Sequence, residues 1–151
     1  MNSTFNILAN KIYQYTVYSL YARPNYFSNI SSNIANCFEI NLNYKCESID
    51  FDKITEITVD ELSTDDKRNL LLFTVCLIEK GPAQNEITNE FLINICNFLG
   101  IDIDYIDECK IIVNKYFIED EDDIISYDKY YERASLKNLF YANMHDGNPY
   151  Q

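Results

Sequence analysis

The sequence predicts an all-α fold, a compact bundle of five or six helices around one buried helix at about residues 58–79. Three observations carry this expectation. Only three Gly and three Pro occur in 151 residues, too few for the tight turns that an all-β chain needs at regular intervals. Apolar residues make up 47% of the chain and recur at helical spacing in most segments. One run, Leu70 to Ile78, is apolar all round, the mark of a helix enclosed by others, although periodicity alone leaves a buried strand open there. A chain of this length can bury a core without staples, and it reads as a single helical domain over 1–143 with a loose tail at 144–151.

The first helix is expected from Thr4 to Ala22, with Phe5, Leu8, Ile12 and Tyr15 on one face. Pro24 marks its end, because the residue before a proline is pushed out of helix. Ser28 to Leu42 follows as a weaker helix through Ile30, Ile34, Cys37 and Phe38. Residues 43–57 read as a loop with about one helical turn. The central helix is expected to begin at Thr58, where Glu61 completes capping-box spacing; Ser63 with Asp66 repeats a related start signal. Gly81-Pro82 ends it. Thr88 is the expected N-cap of the next helix, which turns Phe91, Leu92, Ile95 and Leu99 inward and stops at a left-handed Gly100. Asp102 or Asp104 then caps a helix through Ile106, Cys109, Val113 and Phe117. A last helix is expected from about Asp128 to Ala142.

The formal net charge of −12 is unevenly spread. Residues 39–66 carry nine acids against two bases and residues 102–132 eleven against three, while 67–101 balance at zero. Two acidic belts flanking a neutral centre repel nucleic acid and anionic membrane and attract basic partners or cations. The five cysteines show no CxxC or metal-finger spacing. Three of them (Cys76, Cys96 and Cys109) fall inside apolar patterns, where a thiol behaves as a small hydrophobe. With an odd count, no secretory signal and no apolar run of bilayer length, the expected location is cytoplasmic.

The centre of the chain has a familiar punctuation. An apolar helix and a short Gly-containing loop lead to Glu86-Ile-Thr-Asn-Glu90-Phe-Leu, then Ile95-Cys-Asn-Phe-Leu-Gly-Ile-Asp102 and another amphipathic helix. Over residues 68–117 this is similar to the tellurite-resistance TerB-like helical domain. The resemblance implies a bacterial or phage stress or conflict setting, and a divalent cation held by acids near the loop; here only Glu79, Glu86 and Glu90 could serve. The chain departs from the pattern at Lys80, where the family has an acid before Gly, and at Pro82. A hard cation needs several oxygens at once, and the plainer role for these glutamates is to favour a helix N-terminus.

Catalysis has little to stand on. The single histidine, His145, falls in the expected tail, and no residue pattern pairs a nucleophile with a base. The run Glu119-Asp-Glu-Asp-Asp123 lacks the Gly and the ligand spacing of an EF-hand loop, and no phosphate-binding loop exists. The same run is followed closely by tyrosines, with Tyr105 and Tyr116 ahead of it. Asp120, Glu121, Asp122 and Asp123 would steer a basic partner, and Tyr127, Tyr130 and Tyr131 would anchor it. The alternative is an acidic loop joining two core helices. The expected function is therefore non-catalytic: binding of another macromolecule, a protein with a basic surface, with no cofactor. The runner-up is an inhibitor, immunity or anti-defence protein that blocks a basic nucleic-acid-acting enzyme by charge mimicry; a cation-binding module is third.

Overall fold

Residues 3–27, 30–43, 45–119 and 125–127 are described by the structure, a computed structural model. The architecture is all-α. In chain order come α1 (Ser3–Gln14), a π-helical continuation (Tyr15–Leu20), α2 (Pro24–Phe27), α3 (Ser31–Cys37), α4 (Asp52–Thr55), α5 (Thr64–Glu79), α6 (Glu86–Leu99) and α7 (Tyr105–Tyr116). The only strands among the described residues are β1 (Phe117–Glu119) and β2 (Ile125–Tyr127), antiparallel, with Phe117 opposite Tyr127 and Glu119 opposite Ile125. No described helix is long and apolar enough to cross a membrane.

α5 is the centre of the bundle. Every residue from Asn69 to Ile78 is buried, and the helix packs against α1, α3, α6 and α7. The Thr74 hydroxyl donates to the Leu70 carbonyl at 2.7 Å, which satisfies a polar group the surrounding apolar shell could not. Phe38 joins three elements: its ring stacks on Phe117 of β1 at 5.4 Å and meets Phe73 of α5 edge-on at 5.4 Å.

The helix boundaries follow cap chemistry, and two differ from the sequence expectation. α5 begins at Thr64, not Thr58. Two start signals five residues apart compete, and Ser63 is the one that caps: its hydroxyl accepts from the Asp66 N–H at 3.1 Å, with Asp65 and Asp66 placed favourably in the first turn. Thr58 and Glu61 lie instead in the preceding turns, where Leu62 is buried. α6 is capped by Asn85, not Thr88. The Asn85 side chain accepts from the N–H groups of Ile87 (2.9 Å) and Thr88 (3.1 Å), and the Thr88 hydroxyl accepts from the Asn85 N–H at 2.9 Å. Thr88 is thus the reciprocal half of a capping box. Gly100 ends α6 at φ 71°, the left-handed stop the sequence predicts. Ahead of α7 the bond is made by Asp102, whose carboxylate accepts from the Asp104 N–H at 3.0 Å.

Three further differences have local causes. The first helix changes character, from α to π after Gln14, and ends at Leu20 with Tyr21 as its C-cap; Ala22 then turns left-handed (φ 51°), and Pro24 opens α2. The expected helix over 28–42 narrows to Ser31–Cys37; beyond it Glu39 turns left-handed (φ 57°) and the chain runs on as a strap to the single turn of α4. α7 ends at Tyr116, and Phe117 enters a strand rather than a helix. β-branched and aromatic residues on both sides of the acidic run (Phe117-Ile118 and Ile125-Ser-Tyr127) are the sequence signal for that pairing. The expected helix at 128–142 and the tail at 144–151 lie outside the described residues.

Between α5 and α6 the chain turns tightly against Tyr21. The Tyr21 hydroxyl donates to the Ala83 carbonyl at 2.6 Å, and burial, with Glu79 nearby, raises its pKa to about 12. A Cβ on Gly81 would stand 2.7 Å from that hydroxyl, so only glycine lets the ring seat. The Gln84 amide closes the turn, donating to the Ile78 carbonyl at 2.8 Å.

The thiols of Cys76, Cys96 and Cys109 are fully enclosed. Burial pushes all three up from the ordinary 9.0, Cys96 to about 11. Above pH 9.0 the unfolded chain loses protons that the folded one retains, so unfolding becomes easier as pH rises. The thermal midpoint should therefore hold up to about pH 9 and then fall progressively toward pH 11 as the folded thiols begin to titrate; scanning calorimetry across that window measures it.

Candidate interaction surface

α7 has two faces with opposite roles. Ile106, Cys109, Ile112, Val113 and Tyr116 are buried, and the helix packs on α5. On the outward side stand Asp107, Ile111, Asn114 and Lys115, all exposed, with Ile103 just ahead of the helix and Ile118 just beyond it in β1. Ile103 is 48% exposed, Ile111 57% and Ile118 47%, high values for large aliphatic side chains. Asp107 and Ile111 are four apart and so stand one above the other.

Acids frame this stripe. Asp102, Asp104 and Asp107 are exposed and Glu108 half-buried at the N-terminal end of α7. Beyond α7, Glu119 of β1 stands opposite Ile125 of β2. Lys115 turns its ammonium over the Tyr116 ring at 5.3 Å, and the Arg68 guanidinium lies 5.6 Å from the centre of Tyr105. Of the two tyrosines ahead of the acidic run, Tyr116 is buried in the core and Tyr105 half-buried. Neither is a free anchor.

Asp120, Glu121, Asp122, Asp123, Tyr130 and Tyr131 lie outside the described residues, as does His145; Tyr127 is placed in β2 opposite Phe117. The isoleucines were not named from the sequence. Their signal was nonetheless present, because assigning Ile106, Cys109 and Val113 to the core turns residue 111 to the opposite side.

Glu79, Glu86 and Glu90 are not gathered into one site. Glu86 and Glu90 share α6, which does start ahead of Thr88, and both are exposed. Glu79 ends α5 and accepts a hydrogen bond from the Asn114 amide of α7 at 3.2 Å. Among the described residues no group of three or more His, Cys, Asp or Glu side chains is drawn together as a metal ion would require.

Comparisons with protein families, with characterised proteins and with solved structures give no match to this chain.

The two faces of α7 are separated by one residue. Ile112→Ala removes a fully buried side chain and should lower unfolding free energy by about 2–5 kcal/mol, whereas Ile111→Ala should stay within about 0.5 kcal/mol of the parent. Paired urea melts of the two variants distinguish the faces directly.

Proposed function

We propose that the protein works without catalysis, by binding another macromolecule with a basic surface, and that the outer face of α7 together with the acidic run that follows it in the sequence is the binding surface. The observation that carries this reading is the exposure of three isoleucines, 103, 111 and 118, in and around α7, with exposed Asp102, Asp104 and Asp107 in the same stretch of chain. Interfaces combine desolvated apolar anchors with a charged rim, and this face offers both. The acids raise the rate of encounter and select partners by sign of charge, while the isoleucines supply area to bury.

The narrower form of the proposal is inhibition of a basic nucleic-acid-acting enzyme, in which the carboxylates stand where phosphates would. The eleven acids within 102–132 support it by count, and a TerB-like centre would place such a protein in a bacterial or phage conflict. Competition by a short DNA duplex separates this form from simple protein binding.

The test uses the full chain as bait in three versions: unaltered, Ile103→Ser/Ile111→Ser/Ile118→Ser, and Asp120→Asn/Asp122→Asn/Asp123→Asn. A partner that engages this surface should leave the unaltered bait as salt rises and bind each variant at least about tenfold more weakly, a loss of about 1.4 kcal/mol or more. A partner held equally by all three baits contradicts the assignment.

A further inference from the structure

No further inference is drawn: the strongest candidate, the recess lined by Glu79 and Lys110 where the α5–α6 turn meets α7, is an open surface groove whose Gln84, Asn85 and Thr88 side chains serve the chain's own turn and helix cap, and nothing in the structure shows what occupies it.

Discussion

A helix that is apolar on every side cannot be satisfied by one neighbour, and the rest of this molecule follows from that requirement. α5 buries Asn69 through Ile78 without interruption, so α1, α3, α6 and α7 must close around it. Each of those helices turns an apolar face inward to do so, and the face it leaves outside is then fixed. The inward turn of Ile106, Cys109 and Val113 leaves Ile111 exposed. The inward turn of Leu8, Ile12 and Val17 leaves Asn6 and Asn10 free to grip the strap. The candidate binding surface on α7 is thus a by-product of how the core is enclosed.

The same requirement governs chemistry inside the core. Thiols at 76, 96 and 109 serve as small apolar groups, held protonated by their surroundings, and the Thr74 hydroxyl is spent on its own helix. One polar atom breaks the rule among the described residues: the Asn69 side-chain oxygen is buried without a partner. An unpaired buried acceptor costs about 1–3 kcal/mol.

Elements whose signals are local were legible in the sequence. The apolar run of α5, the Gly81-Pro82 stop, the inward residues of α6 and the left-handed Gly100 all appear where spacing and backbone preference put them. Cap positions were legible only as a choice of candidates. Thr58 and Ser63 offer similar start chemistry, as do Asn85 and Thr88, and which hydroxyl or amide actually meets an N–H is decided by the packing of the turn. Long-range features were not legible. The strap depends on hydrogen bonds between residues more than thirty apart, and polar stripes at helical spacing ordinarily face water. The strand pair after α7 was hidden because Phe117 fits a helical period as well as a strand. For the candidate site, the acidic belt could be read from composition, but the isoleucines beside it emerged only once the inward face of α7 was fixed.

Native-state hydrogen exchange tests the central role of α5 most directly. If the other helices close around it, the amides from Leu71 to Ile78 should be the slowest in the protein and should exchange only through global unfolding, with a free energy equal to that from urea denaturation. Amides of α5 that exchange faster than those of α6 or α7 would show that the bundle is held together elsewhere, and the α7 surface assignment would lose its foundation.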